Sequence, residues 1–184
     1  MPTPQPFLPH GGSYKKLIAY QKAECVYDVT FYFAHHFLEK GDRTIDQMVQ
    51  AARSGKQNIA EGAAAGNTSK ETEIKLTNVA KASLQELLVN YEDFLRVRGL
   101  KQWQPDDARL AQTKRACTAH NDSEYYRKAM PERSAETIAN IAITLIHQTD
   151  WLLNKLIEKL EIQFVENGGV KEQMTKARKE YRGY

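Results

Sequence analysis

The chain has 184 residues, 41% of them hydrophobic, enough for one domain to bury a substantial core. Its 26 lysines and arginines outnumber its 23 aspartates and glutamates by only three, far from the strongly basic balance of a dedicated nucleic-acid binder. Two cysteines, Cys25 and Cys117, are too few for a disulfide framework or a cysteine zinc site, so reduced thiols in a cytoplasmic protein are the expectation.

In chain order, residues 1–12 are rich in proline and glycine and lack the basic start and apolar run of a secretory signal, which predicts a flexible leader. From Ser13 to about Lys40 there is neither proline nor glycine, and Ala19, Ala23, Val26, Phe33 and Phe37 recur at helical spacing. Leu17, Tyr27, Phe31, Ala34 and Leu38 widen the apolar band beyond the roughly 100° stripe that one partner layer needs. That width predicts several neighbours, another subunit among them. Gly41 ends this helix, and Thr44 is placed to cap a second one that runs through Ile45, Met48, Ala52 and Ile59 to Gly62. Ala51, Ala52, Ser54 and Gly55 keep it thin, as in a helix that packs closely on its neighbour.

Thr68 and Glu71 have capping-box spacing and mark the start of a third helix, with Ile74, Leu84, Leu87, Leu88, Tyr91 and Leu95 as its apolar positions and Gly99 as its stop. Pro105, Asp106 and Asp107 suit the first turn of a shorter helix, placed at about 105–120. A polar connector through residues 121–128 leads to Pro131 and Ser134, where the last long helix begins. There Ile138, Ala142, Leu145, Thr149, Leu152, Leu156 and Leu160 alternate four- and three-residue steps like a coiled-coil seam. Gly168 and Gly169 close it, leaving a charged C-terminal tail over 169–184. No segment alternates as a strand, and no run approaches the roughly 18 apolar residues of a membrane span. The prediction is an all-α fold, an antiparallel up-down four-helix bundle over 13–168 with an additional short helix and a C-terminal extension.

No complete catalytic or metal-binding set emerges. A ferritin-like centre needs inward glutamates with Glu-x-x-His pairs, and no histidine stands three residues after a glutamate. His35 and His36 precede Glu39, and Cys117 precedes His120 by three, but neither group completes a ligand set. His147 and Asp150, one turn apart, read as a proton-transfer pair or as a helix-surface contact. Nucleophile-elbow and phosphate-loop patterns are absent, and Gly62–Gly66 followed by Asn67 reads as an interhelical turn. The expectation is no catalytic residue, no metal and no cofactor.

The second helix carries the more informative polar pattern. Arg43, Gln47, Gln50, Arg53 and Gln57 fall three or four apart with Lys56 beside them, a basic, amide-rich face able to meet phosphates or base edges. A merely solvated helix presents the same pattern. Lys15, Lys16 and Lys22 add positive charge on the first helix and complete the candidate nucleic-acid-binding set. The partner expected is RNA or DNA and not a membrane; the other reading is a protein-protein adaptor kept soluble by its charged faces.

The runs Gln47-Met48-Val49-Gln50-Ala51-Ala52-Arg53-Ser54 and Asn58-Ile59-Ala60-Glu61-Gly62 resemble the signature of a bacterial family of four-helix bundle proteins. That family comprises the intervening-sequence proteins of large-subunit ribosomal RNA genes and the accessory variability proteins of diversity-generating retroelements. Tyr14-Lys15-Lys16-Leu17, Tyr20-Gln21-Lys22-Ala23 and Ala82-Ser83-Leu84-Gln85-Glu86-Leu87 are similar to its first and third helices. The resemblance covers residues 13 to 100 and, more weakly, the last core helix. It implies an antiparallel bundle assembled as a homopentamer and, in the retroelement branch, a basic surface used with a reverse transcriptase and nucleic acid. Gln50 stands where the family often has arginine and Lys56 where it often has proline, while the insert at 101–133 and the C-terminal extension suggest a separate branch.

Overall fold

A computed structural model describes residues 13–182; the leader expected over 1–12 and the last two residues of the tail lie outside that span. All regular structure among the described residues is helical. A 3-10 turn, Tyr14–Lys16, precedes α1 (Ile18–Phe37), followed by α2 (Arg43–Ala65), α3 (Lys70–Val97), α4 (Ala108–Ala119) and α5 (Ser123–Ala129). After a second 3-10 turn, Met130–Glu132, come α6 (Ala135–Asn167) and α7 (Val170–Arg182).

The starts of α2 to α6 are set by side chains in extended backbone just outside each helix, from where an oxygen can reach the free amides of the first turn. Asp42, and not the expected Thr44, caps α2 by accepting from the Thr44 N–H at 2.8 Å; Thr44 is already inside the helix. Ser69, one residue beyond the expected Thr68, caps α3 by accepting from the Thr72 N–H at 3.2 Å. Asp107 caps α4, so Pro105 lies in the preceding turn instead of the first helical turn. Ser134 caps α6 as expected. At the other ends, Gly99 and Gly168 take φ of 64° and 68°, left-handed backbone that glycine adopts without strain, and both stop their helices where expected.

Gly62 does not stop α2. It lies within the helix, buried, where a Cβ would come 3.3 Å from the Glu73 carbonyl oxygen of α3. Its smallness serves close approach of two backbones, and α2 continues one further turn to Ala65. Asn58, from the same run, donates to the Ser54 carbonyl at 2.9 Å and to Ser54 Oγ at 3.1 Å, and Ser54 Oγ bonds Ser83 Oγ of α3 at 2.9 Å.

The four long helices pack in a ring: α1 touches α2 and α6, and α3 touches the same two. Val26, Phe33, Met48, Ile59, Leu84, Leu87, Leu95, Ile138, Leu145 and Ile146 fill the interior, each such side chain contributing roughly 1.5–3 kcal/mol on burial. The Tyr91 hydroxyl, also interior, donates to Thr30 Oγ1 at 2.9 Å, which keeps both polar groups satisfied. Most of the wide apolar band of α1 is covered within the chain, while Phe31 stays 48% exposed. Its outer side is covered by α5, whose Tyr126 is buried together with Met130 just beyond it. This α5 falls where a polar connector was expected; Asp122 caps it by accepting from the Tyr125 N–H at 2.9 Å.

The α6 seam follows prediction through Ile138, Ala142, Leu145 and Thr149, then moves to Leu153 and Ile157, leaving Leu152 and Leu156 half-buried. A straight helix of 3.6 residues per turn drifts from a 3.5-residue repeat by ~20° per heptad, enough to exchange neighbouring positions after two repeats. α4 lies on α6, and the segment leading to it is tied down by Asn140, which accepts from the Trp103 N–H at 2.8 Å and donates to the Lys101 carbonyl at 2.9 Å. The expected tail is helical from Val170, with Val170, Met174, Ala177 and Tyr181 spaced as one stripe. Among the described residues no helix is long and apolar enough to cross a membrane.

Candidate functional site

The outer face of α2 is built by the same periodicity that builds its inner one. Met48, Ala51, Ala52, Gly55, Ile59 and Gly62 turn inward, so residues at the complementary positions must face out. Arg43, Gln47, Gln50, Arg53 and Gln57 are all exposed, and Arg43 and Arg53 join no ion pair among the described residues. Arg43 to Gln57 spans about 21 Å at 1.5 Å per residue. Asp46 and Glu61 share this exposed face, so its charge is interleaved.

The remaining lysines divide. The 3-10 turn packs against both α1 and α2, which brings exposed Lys15 and Lys16 beside the α2 surface. Lys56 is half-buried, its ammonium 4.4 Å from the centre of the Tyr27 ring on α1. That cation–π contact sets the Lys56 stem along the α1 boundary and keeps the head at the edge of the surface.

Lys22 does not belong to this surface. It is 3% exposed, and its ammonium donates to the carbonyl oxygens of Cys117, at the end of α4, and of His120, at 3.4 Å. Helical spacing points Lys22 to the side of α1 that faces the insert, and burial lowers its pKa from the ordinary lysine value because the charged form is poorly solvated. It is a structural cation that satisfies the last carbonyls of a helix. Neither Asn121 to Lys128 nor the Cys117–His120 spacing signals this in the sequence, since the partners are backbone atoms.

The other chemistry-bearing residues stay apart. His35 and His36 each place Nδ1 2.8 Å from a carbonyl oxygen of their own helix, those of Phe31 and Tyr32. Cys117 is buried, and His120 stacks on Tyr125 with ring centres 3.6 Å apart. Burial pushes the Cys25 thiol up to about 12 and raises that of Cys117, so both stay protonated at neutral pH. Asp150 accepts from Asn154 at 3.1 Å and from Gln85 of α3 at 3.5 Å, and has no hydrogen bond to His147 among the described residues. Among the described residues no group of three or more His, Cys, Asp or Glu gathers around a point that a metal ion would fill. Comparison of the chain with protein-family models, curated proteins and solved structures finds no match.

Proposed function

We propose that the chain is a non-enzymatic, antiparallel up-down four-helix bundle that binds nucleic acid, or a nucleic-acid-processing partner, along the outer face of α2. The bundle reading is supported by paired positions: Ser54 with Ser83 and Gly62 with Glu73 between α2 and α3, Lys81 with Asn154 and Gln85 with Asp150 between α3 and α6. In each case rising numbers on one helix meet falling numbers on the other.

The observation that carries the functional reading is the line of exposed cations, Lys15, Lys16, Arg43 and Arg53, none held by a carboxylate among the described residues, with Gln47, Gln50 and Gln57 between them. Free guanidinium and ammonium groups along a helix suit a phosphate backbone, and carboxamides suit sugar or base edges. The resemblance to intervening-sequence and retroelement accessory proteins points the same way. Homo-oligomerisation, as a pentamer on that resemblance, belongs to the same reading; it rests on exposed Val79, Val89 and Val97 of α3, and sedimentation of the purified chain tests it.

Fluorescence anisotropy with labelled single-stranded RNA and DNA over a range of salt concentrations tests the binding. Four neutralised phosphates give a log–log salt slope of about −3, at ~0.7 per phosphate on a single strand. Arg43→Glu with Arg53→Glu should weaken binding at least about tenfold and flatten that slope. Binding that ignores salt, or survives the double charge reversal, rejects the phosphate reading. The interleaved Asp46 and Glu61 favour a second reading, a protein adaptor that meets a partner of mixed charge. Copurification of one protein, nucleic-acid-free and dependent on Asp46 and Glu61, is its outcome.

A further inference from the structure

The insert that carries α4 creates a concavity on the opposite part of the molecule from the α2 surface. α4 rests on α6, and between them, bounded also by the start of α1 and the segment after α3, lies a groove of ≈ 660 Å³. Small-molecule sites occupy about 300–1,000 Å³ and are mostly apolar with a few fixed polar groups. This groove has that make-up. Both tryptophans of the chain line it, Trp103 buried and Trp151 60% exposed, along with Ile18, Leu110 and Ile143.

Its polar groups are specific. Thr118 donates its hydroxyl proton to the Lys114 carbonyl at 2.8 Å, which leaves the hydroxyl oxygen as an acceptor. Gln148 Nε2 donates to that hydroxyl and to the Lys114 carbonyl, each at 3.1 Å. Two acceptors on one side fix the orientation of the Gln148 carboxamide, so its oxygen is held away from α4. That oxygen and Asn121 Oδ1, both on residues of the groove wall, are buried and accept no hydrogen bond among the described residues. A buried acceptor without a donor is destabilising, so an N–H or O–H brought to either is favoured. The titratable groups of the wall are Lys22, Lys114 and His147, and no carboxylate lines it. Lys22 commits its ammonium to two carbonyls and Lys114 is exposed, which leaves Lys114 as the accessible permanent cation.

We propose that the α4–α6 groove binds a small planar aromatic anion that carries an N–H or O–H donor. The ring lies on the apolar wall with Trp151, the donor meets Asn121 Oδ1 as that carboxamide turns toward the groove, Gln148 being held by its two hydrogen bonds, and the anionic group meets Lys114. The size of the groove and the depth of the two oxygens favour a small molecule, because a broad macromolecular surface cannot bring a donor to a buried acceptor. The inference is independent of the outer face of α2, a helix that packs on α1 and α3 and lines no part of the groove.

The probe is 2-aminobenzoate, an aromatic carboxylate with an adjacent amino donor, and the control is the uncharged 2-aminobenzamide. Calorimetric titration of the full chain measures affinity, and quenching of intrinsic fluorescence locates the site, since both tryptophans line the groove. The expected result is saturable binding of 2-aminobenzoate with the benzamide at least about tenfold weaker. Trp151→Ala and Lys114→Gln change exposed side chains and should each weaken binding about fivefold or more, with helix content unchanged by circular dichroism. No saturation up to about 10 mM, equal affinity for acid and amide, or affinity untouched by both substitutions overturns the proposal. A chain that self-associates through Trp151, dissociates as Trp151→Ala and binds no probe assigns the groove to a second copy and also overturns it.

Discussion

α2 and α4 each lie on a long helix, but by opposite means. α2 meets α3 through Gly55 and Gly62, so that a Cβ added at Gly55 would stand 2.8 Å from Leu84 Cδ2. α4 buries only Cys117 of its twelve residues and meets α6 across large side chains that leave a groove. Small residues give dense contact with little room for change. Large, loosely matched ones leave space that a ligand can use, at the expense of local stability. The difference separates a region built for rigidity from one built for access.

The largest effect is expected at Gly55. Leu84 is fully buried, so it cannot swing into solvent to admit a larger neighbour. Gly55→Leu should destabilise by about 3 kcal/mol, at the upper end for overpacking, whereas Leu110→Ala on the open groove should cost under about 1 kcal/mol, since Leu110 itself is only half-buried. Urea unfolding of the two variants measures both. Equal losses would mean that the two contacts are packed alike.

This contrast also explains what could be read in the chain beforehand. Ala51, Ala52 and Gly55 announce close packing by their size, and Ile138 to Thr149 announce a buried seam by their spacing; both are local properties. Gly62 was misread as a stop because a glycine needed for close approach and one needed for left-handed backbone are the same letter. α5 was missed because seven residues are too short for periodicity, although Asp122 followed by Glu124 is a legible helix start. For the α2 surface, spacing was sufficient to place Arg43, Gln47, Gln50, Arg53 and Gln57 outward. Lys22 was misplaced because its partners, two backbone carbonyls of the insert, leave no trace in side-chain pattern.

Lys22 offers the next test, since it fastens the end of α4 to α1. Lys22→Met removes the desolvation cost of a buried ammonium but leaves the Cys117 and His120 carbonyls without that donor; the net loss at neutral pH should be about 1–2 kcal/mol. Its pH dependence is diagnostic. The lysine pKa is lowered in the folded state, so between that lowered value and the ordinary 10.5 the unfolded chain holds more protons and the natural protein gains stability as pH rises. The methionine variant lacks that gain, so the gap between the two should widen from pH 7 toward about pH 10. A constant or narrowing gap would remove Lys22 as the fastening.

The smallest effect is expected at the acidic end of the same region. Asp107 accepts from the Arg109 N–H at 3.0 Å and lies 2.9 Å from Arg109 Nη2 and 3.1 Å from Lys101 Nζ. Glu136, at the start of α6, accepts from the Lys101 N–H at 3.0 Å and from Trp103 Nε1 at 3.4 Å. The Arg109 side chain holds the Asp107 carboxyl well below its ordinary value, and the Lys101 backbone amide lowers that of Glu136. For carboxyls lowered in this way the stabilisation is complete above the ordinary values of 3.8 and 4.5 and is lost as pH falls through the lowered folded values. These pairs are partly open to solvent, which limits their worth and makes them sensitive to salt. Acid should therefore loosen the approach to α4 while the α2–α3 contact, which depends on shape, persists. Trp103 reports it: its emission should shift to longer wavelength below about pH 4 while helix content is retained, and Asp107→Asn with Glu136→Gln should produce part of that shift at neutral pH. Loss of helix content in step with the emission change would mean that the two regions unfold together, and that the difference between them is one of packing without independence.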